Sequence, residues 1–405
     1  MNIRQTKPIL LTLVMATFSG VSFAKQSSNA NRILYSAPSV HMVSVEEQRL
    51  PVARQAMPQQ VRRWQEEVEL FKRNWSQVSS FEAADKLVAE TGLWLWQSAK
   101  TAMAEQLDWD DRPLYWTRLQ VAKIIRTSSS RLSLTQKTKR LLLETLEQSS
   151  RGRTDLAFHS GAKINILLTG FDPFLLDRNI EQGNPSGVTA LYLDGKRLSS
   201  NGVSAEINTV MVPVRWQDFD DGEIETLLES FYKDGSVSMI ITVSQGRRQF
   251  DLERFPGRRR SAAAPGNLNG YAGVSRSNPL AGGLNGKQLD GPEFVEFNLP
   301  AAAMVKASGK YSIRDNRNVV TLEQGAMTPN SLSELNGLTA VSGSGGGYLS
   351  NEISYRSIRL RDLYQSPIIT GHIHTPIVAP GDKQSMAAVV GQIVKMLELA
   401  IAEAK

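Results

Sequence analysis

Residues 203–243, VSAEINTVMVPVRWQDFDDGEIETLLESFYKDGSVSMIITV, decide the fold of this chain. The two ends of the stretch, 203–212 and 237–243, are short apolar runs of the kind that form buried strands. Between them, apolar residues recur at the i, i+3, i+4 and i+7 positions of one helix face: Ile224, Leu227, Leu228 and Phe231. Gly235 then supplies a stop for that helix. Strand alternating with helix predicts an α/β fold, with a mostly parallel, twisted open sheet and helices on both faces.

The segments around this stretch extend the pattern. Residues 164–169 and 368–373 are further short apolar runs, and Ala340-Val341 indicates another strand. A closing helix is predicted from apolar residues on one face: Met386, Val389, Val390, Ile393, Leu397 and Ile401. Residues 262–292 are rich in turn formers, including seven glycines, and predict a long loop or lid. No later stretch is expected to be apolar and long enough to anchor the chain in a membrane.

The N-terminal part predicts a separate, small all-α region. Residues 25 to about 55 have few periodic apolar positions and are expected to form a loosely ordered lead. A helix is predicted from residues spaced on one face: Val61, Trp64, Val68, Phe71 and Trp75. Six of the seven tryptophans lie in this part, which favours the core of a small bundle over a carbohydrate or peptide groove. Residues 149–163 are small and polar, so the predicted division is 25–160 for the helical region and 161–405 for the α/β domain.

The first residues predict export. Arg4 and Lys7 precede an uncharged run at 9–18, and Ser22-Phe23-Ala24 fits a cleavage site, so residues 1–24 are expected to be a signal peptide. The apolar run is too short to span a bilayer. We therefore expect a periplasmic or secreted protein that does not span a membrane.

Composition limits the chemistry. The 405 residues include no cysteine, which excludes disulfides, thiolate metal sites and cysteine nucleophiles. The formal net charge of +6 is too small to argue for nucleic acid as a partner. Six arginines lie between residues 247 and 260; a solvated loop is the simplest interpretation, and attraction of a substrate carboxylate is the alternative.

Histidine and serine supply the remaining candidates for catalysis. His41 and His159 are expected to be structural or solvated, whereas His372 and His374 end a predicted strand and share one face. No third ligand stands at a metal-site spacing, so a general base is favoured, with no metal or other cofactor. Ser350 follows the run Ser344-Gly-Gly-Gly-Tyr-Leu and is predicted near a helix start, where it is either a nucleophile or an N-cap.

Several motifs, in order, resemble the type I pyroglutamyl peptidases, also called pyrrolidone carboxyl peptidases. The segment from Leu168 to Phe174, LTGFDPF, is similar to the family's opening strand and loop. The resemblance continues through Asn184-Pro-Ser, Val212-Pro-Val, Gln245-Gly-Arg, Glu253-Arg254, Pro265, Asn267, Ser344 to Asn351, Tyr355, Ile373-His374 and Pro376. It covers about residues 163–405 and marks the chain as a divergent member with an added N-terminal helical region.

The resemblance implies roles for particular residues. Glu253 and His374 stand where the family has its catalytic Glu and its base, and Ser350 stands where the family has its cysteine nucleophile. The resemblance further implies a substrate pocket with apolar walls and a few polar contacts: Phe171, Phe174, Asn184, Gln245, Tyr348 and Leu349. Plain core packing is the alternative for the aromatic residues.

The function implied is an exported amidohydrolase that removes N-terminal pyroglutamate or a similar cyclised group from peptides. Its partner would be a peptide with a blocked or cyclised N-terminus, and a homo-oligomer is allowed. Serine must lose its proton during attack, unlike a pre-ionised thiolate. Two alternatives therefore stay open: an inactive peptidase-fold binding protein, and a serine hydrolase of another amide or ester.

Overall fold

The structure is a computed structural model that describes residues 42–105, 108–159 and 161–404. The predicted signal peptide and His41 lie outside the described residues. In the described residues of the N-terminal part, seven helices have these bounds: α1 Val45–Gln48, α2 Leu50–Ala56, α3 Pro58–Arg62, α4 Gln65–Gln77, α5 Phe81–Glu105, α6 Arg112–Thr127 and α7 Gln136–Ser149.

Strands and helices alternate in the remainder of the chain. The elements up to residue 260 are β1 Ile164–Phe171, α8 Pro185–Leu193, β2 Arg197–Ser200, β3 Val203–Val212, α9 Trp216–Asp220, α10 Glu223–Asp234, β4 Met239–Gln245, β5 Phe250–Glu253 and β6 Arg259–Arg260. The later elements are β7 Leu280–Ala281, β8 Gly283–Leu284, β9 Lys287–Gln288, α11 Ala301–Met304, β10 Ile313–Asn316, β11 Val319–Thr321, β12 Gly325–Met327, a 3-10 turn Leu332–Leu335, β13 Ala340–Ser342, α12 Leu349–Leu363, β14 Ile369–Thr375 and α13 Lys383–Glu403.

The main sheet has seven strands in the order β10-β5-β14-β4-β1-β3-β2. Four neighbouring pairs are parallel, namely β10 with β5, β14 with β4, β4 with β1, and β1 with β3. The pairs of β5 with β14 and of β2 with β3 are antiparallel. This topology confirms the predicted fold class, and it brings the carboxyl ends of β4 and β14 together.

The two faces of the sheet are covered by different helices. Along β1, Ile166 and Leu168 belong to the core cluster shared with α8 and α13, whereas Leu167 belongs to the cluster shared with α10 and α12. This alternation follows from the two-residue period of a strand. Gly235 ends α10 in the left-handed conformation with φ 67°, as the sequence predicts.

The predicted loosely ordered lead is wrong for the residues that the structure describes. Helices α1 and α2 occupy 45–56, and Ser44 forms a reciprocal capping box with Glu47. Arg49 is 7% exposed; its guanidinium bonds the Asn267 carbonyl oxygen at 2.6 Å and the Asp177 carboxylate. Charged anchors hold this segment together with a short buried apolar face, Leu50, Ala53 and Met57, and so short a repeat is easily missed in the sequence.

The single helix predicted from Val61 is interrupted at Trp64. Val61 ends up in α3 and packs in a cluster with α2 and α6, whereas Val68 belongs to α4 and the large core cluster. Trp64 has non-helical backbone angles and meets Trp94 edge to face, with ring centroids 5.9 Å apart. Three other tryptophans are fully buried, as expected for a bundle core: Trp75, Trp96 and Trp116.

The segment predicted as a linker begins inside the fold. Arg151 is 1% exposed and forms a 2.7 Å ion pair with Asp172, in the loop that follows β1. Arg118 of α6 approaches the same carboxylate at 3.1 Å. These two arginines hold the pKa of the buried Asp172 below its ordinary value, against the effect of burial. The helical region thereby braces the first loop of the α/β region.

Three other expectations need correction or refinement. The strand at Ala340-Val341 joins a small antiparallel sheet of order β12-β11-β13 and not the main sheet. The predicted loop at 262–292 carries the short strands β7, β8 and β9. Helix α13 is long and apolar enough to cross a membrane, contrary to expectation, although just over half of its most apolar window is buried within this fold.

Candidate active site

A buried carboxylate–imidazole pair lies on two neighbouring strands. Glu253 ends β5 and His374 lies near the end of β14; these strands run antiparallel, with Asp251 opposite His374. His374 Nδ1 and Glu253 Oε1 are 2.6 Å apart, and the two residues are 6% and 1% exposed. A carboxylate on Nδ1 fixes the ring with Nε2 as the proton acceptor. This arrangement can serve as a general base.

The second oxygen of Glu253 is also bonded. Asn316, at the end of β10, donates from Nδ2 to Glu253 Oε2 at 2.7 Å. Burial raises the pKa of Glu253 above its ordinary value, while His374 and Asn316 oppose the shift. Sequence reasoning missed Asn316 because β10 has only four residues and lies far along the chain from Glu253.

The neighbouring histidine has a structural environment. Both ring nitrogens of His372 are bonded, Nδ1 to Thr242 Oγ1 and Nε2 to Ser244 Oγ, each at 2.7 Å. Burial and the nearby His374 hold the pKa of His372 well below its usual range, so the ring is neutral. The rings of His372 and His374 meet edge to face at 4.8 Å, as their predicted common face requires. Among the residues described, no group of three or more His, Asp or Glu side chains could hold a metal.

Ser350 is the second residue of α12, directly after the glycine-rich turn. Its Oγ donates to the Gly345 carbonyl oxygen at 3.4 Å, and within residues 42–404 as described no hydrogen bond joins it to His374. Gly345 also lies against the His374 ring, since a Cβ added there would stand 3.5 Å from His374 Cε1. Tyr348, the N-cap residue of α12, makes no side-chain cap hydrogen bond, and a helix start of this kind presents backbone N–H groups to an anion.

The glycine-rich turn is held by contacts to the loop after Glu253. Asn351 bonds both backbone groups of Gly257, accepting from N–H at 3.0 Å and donating to the carbonyl oxygen at 2.7 Å. A Cβ added at Gly343 would lie 2.1 Å from the Gly257 nitrogen, so only glycine fits there. The turn that presents Ser350 is thus fixed to the segment that carries Glu253.

The aromatic residues predicted for the pocket divide into two groups. Phe171 is 3% exposed, and Leu349 is likewise in the core. Phe174 and Tyr348 are half-buried, and their rings are inclined by 30° with centroids 6.4 Å apart. Tyr348 also meets Trp216 edge to face at 5.0 Å and donates its hydroxyl to the Pro265 carbonyl oxygen at 2.7 Å. Only Phe174 and Tyr348 of the predicted apolar walls therefore present rings outside the core.

The two predicted polar contacts are both engaged within the protein. Asn184 is 1% exposed and caps α8, accepting from the Ser186 N–H and donating to the Asp172 carbonyl oxygen at 2.9 Å. Gln245 is half-buried, and its Oε1 accepts from Gln182 at 3.2 Å. The environment of Asn184 is that of a structural cap.

The arginine cluster is not simply a solvated loop. Four of the six residues pair with acidic side chains: Arg254 with Asp315 and Glu296, Arg258 and Arg259 with Glu293, and Arg260 with Glu352 and Asp220. Arg247 and Arg248 are exposed, and among the described residues neither side chain has an ion-pair partner. Only these two remain available to a dissolved anion.

Taken together, fold and site define an α/β protein with a buried Glu–His pair and a serine at a helix N-terminus. Two family descriptions match the chain: "PA0049, C-terminal domain" over residues 165–279 and 314–379, and "PA0049 N-terminal domain" over residues 26–147. A similar relative is the uncharacterized protein PA0049 of Pseudomonas aeruginosa, 27% identical over 74% of this chain and 71% of that protein.

Solved structures of pyroglutamyl peptidases are also similar to this chain. A mutant pyrrolidone carboxyl peptidase from the hyperthermophile Pyrococcus furiosus is 21% identical, with a TM-score of 0.40, and the match covers 60% of this chain and 100% of that one. Pyroglutamyl peptidase I of Bacillus amyloliquefaciens is 21% identical with a TM-score of 0.40, over 59% of this chain and 98% of that one.

Proposed function

We propose that this protein is an exported amidohydrolase that removes an N-terminal pyroglutamyl or similar cyclised group from peptides. The observation that carries the proposal is the 2.6 Å contact between His374 Nδ1 and Glu253 Oε1, buried beside the turn that presents Ser350. A nucleophile, a base and a carboxylate that orients the base are the parts needed for acyl transfer. Each part is supplied by a different element, α12, β14 and β5, held by the sheet and the glycine-rich turn.

In the proposed reaction Ser350 Oγ leaves the Gly345 carbonyl oxygen and rotates toward His374 Nε2. It attacks the scissile carbonyl carbon while the imidazole takes its proton, and Glu253 stabilises the imidazolium that forms. Backbone N–H groups of the first turn of α12, which Tyr348 does not cap with its side chain, stabilise the oxyanion. His374 then returns the proton to the leaving amine, and water hydrolyses the acyl-serine by the same proton transfers in reverse.

The substrate class is proposed from the motif resemblance and from the aromatic pair beside the nucleophile. The rings of Phe174 and Tyr348 are inclined by 30°, with centroids 6.4 Å apart. A planar lactam between two rings needs about 3.5–4 Å to each face, so the two rings would have to move apart to admit it. A lactam at the N-terminus carries no charge, which suits apolar walls.

The test is hydrolysis of a fluorogenic pyroglutamyl amide by the mature protein, with Ser350→Ala and Ser350→Cys in parallel. We expect turnover by the wild type, none by Ser350→Ala, and retained turnover by Ser350→Cys. Unchanged turnover in Ser350→Ala would refute Ser350 as the nucleophile. Hydrolysis of simple esters without hydrolysis of the pyroglutamyl amide would point to a serine hydrolase of another class.

A second candidate is a binding protein that keeps the peptidase fold without catalysis. The observation that favours it is the orientation of Ser350, whose Oγ bonds the Gly345 carbonyl oxygen and not His374. Turnover gained only with Ser350→Cys would support this candidate, because the site would be intact apart from its nucleophilic atom.

Export is the part of the proposal that depends on residues 1–24 alone. N-terminal sequencing of the protein recovered from a bacterial periplasm should give Lys25 as the first residue. Recovery of the uncleaved chain from the cytoplasm would contradict export and leave the catalytic proposal unaffected.

A further inference from the structure

Asn316 occupies a position from which its side chain reaches both halves of the proposed site. Strand β10 pairs in parallel with β5 in a register that places Asn316 beside Glu253. The backbone is fixed on this side as well, because the Arg254 N–H donates to the Asn316 carbonyl oxygen at 2.9 Å. Two neighbouring strand ends therefore present an amide and a carboxylate side by side.

The side-chain amide of Asn316 is fully used. Nδ2 donates to Glu253 Oε2 at 2.7 Å and to the Ser344 carbonyl oxygen at 2.9 Å, and the residue is 4% exposed. Its Oδ1 accepts from the Asn318 N–H at 3.3 Å. The amide thus links the carboxylate to the glycine-rich turn that leads into α12.

We infer that Asn316 is a positioning residue that holds Glu253 ionised and in register with the turn carrying Ser350. The inference rests on the proposed function. One oxygen of Glu253 serves His374 and the other is held by Asn316, so neither can rotate away without losing a buried hydrogen bond. A donated hydrogen bond favours the charged carboxylate, which is the form that stabilises an imidazolium.

The titratable neighbours with the largest effect on Glu253 are His374 and Asp251. His374 of β14 favours its ionised form, and Asp251 on its own strand opposes it. Asp251 is itself paired with Arg314 of β10 at 2.9 Å. Loss of the Asn316 donor is therefore expected to change the protonation of Glu253 directly, since among the residues described no other neutral side chain donates to that carboxylate.

The experiment compares Asn316→Ala and Asn316→Asp with the wild type. We expect kcat for the pyroglutamyl amide to fall about 10- to 100-fold with little change in KM, the usual size for loss of a partner behind a catalytic group. The acid limb of the kcat/KM profile should move up by about one pH unit, because one hydrogen bond to a carboxylate is lost. Asn316→Asp keeps the shape of the side chain and adds a negative charge beside Glu253, so the acid limb should move further in this variant than in Asn316→Ala.

A second readout does not depend on turnover. The chain has four histidines, so ring resonances of histidine-labelled protein can be followed against pH by NMR, with His374 assigned from a His374→Gln variant. The titration midpoint of the His374 signals should differ from that of the wild type in both Asn316 variants, because the carboxylate that faces Nδ1 has lost its donor. If the wild type does not hydrolyse the amide, the proposed function fails, and this titration still decides the role of Asn316.

The matched control is Gln392→Ala. Gln392 is also a buried amide that bridges backbone groups, donating to the Tyr311 carbonyl oxygen at 2.6 Å, far along the chain from Glu253. It should lower stability without moving the His374 midpoint. If the Asn316 variants behave like Gln392→Ala, with lower stability and a midpoint within about 0.2 unit of the wild type, Asn316 is structural only and the inference is overturned.

Discussion

Replacement of Glu253 by glutamine tests the charge of the buried pair while its shape is kept. Glutamine offers one acceptor and one donor, but His374 Nδ1 and Asn316 Nδ2 both donate to Glu253 in the ionised pair. One of the two contacts must become donor against donor, or the imidazole must take the tautomer with hydrogen on Nε2. That tautomer cannot accept the proton of Ser350, so general-base catalysis would be lost.

The size of the effect follows from the geometry. The 2.6 Å contact places the two charge centres about 4 Å apart, where an ion pair is worth about 4 kcal/mol at an effective dielectric constant of 20. Because 1.36 kcal/mol corresponds to a factor of ten in rate, kcat should fall about 10³-fold with KM nearly unchanged. The assay is steady-state hydrolysis of the pyroglutamyl amide near neutral pH.

Glu206→Gln is a suitable control for this variant. Glu206 is also buried, and its Oε1 lies 2.8 Å from Nδ1 of another histidine, His159, beside β3 and away from the site. It should leave kcat within about twofold of the wild type. A loss of less than about tenfold in Glu253→Gln, or an equal loss in Glu206→Gln, would refute the assignment of Glu253.

Three other predictions follow from the structure. Gly343→Ala forces a Cβ to within 2.1 Å of the Gly257 nitrogen, so urea denaturation should show a loss of about 1–3 kcal/mol and turnover should disappear; unchanged stability would contradict this packing. His372 is held neutral in the folded state, so below about pH 6.5 the unfolded chain binds one more proton than the folded chain. The free energy of unfolding should therefore decrease as the pH is lowered, by at most about 1.4 kcal/mol per pH unit. His372→Gln should remove that slope, and an unaltered slope would argue against a buried neutral ring. Arg247→Gln with Arg248→Gln should raise KM for acidic peptides and reduce its salt dependence; equal salt dependence in both proteins would exclude anion capture.

The sequence predicts those strands and helices whose conformation is determined by the pattern of their own residues. The strand 203–212 and the helix around 224–231 follow from apolar spacing, and both occur in the structure, the helix as Glu223–Asp234. Strands β5 and β10 were not predicted, since four residues show no useful period and their conformation is set by pairing with neighbours. The spacing of apolar residues predicts one helix across Trp64 where the structure has two. Spacing cannot show that Val61 and Val68 pack in different clusters.

The site shows the same division between local and long-range signals. His372 and His374 share a face because side chains point alternately to the two faces of a strand, which the sequence pattern predicts directly. Asn316 and the pairing of the arginines could not be predicted, because each contact joins residues that are far apart in the chain and polar residues have no periodicity to reveal them. The buried charges around Asp172 belong to the same class of contact.

The most direct test of the account is the location of the acyl group during turnover. The wild type would be mixed with an activated pyroglutamyl ester, quenched in acid and digested, and the peptides would be examined by mass spectrometry. We predict a pyroglutamyl group on the wild-type peptide that contains Ser350. The same peptide from Ser350→Ala should carry none, and that from His374→Gln should carry no more than a sample without the ester. A pyroglutamyl group on another residue, or turnover without any adduct that also persists in Ser350→Ala, would contradict it.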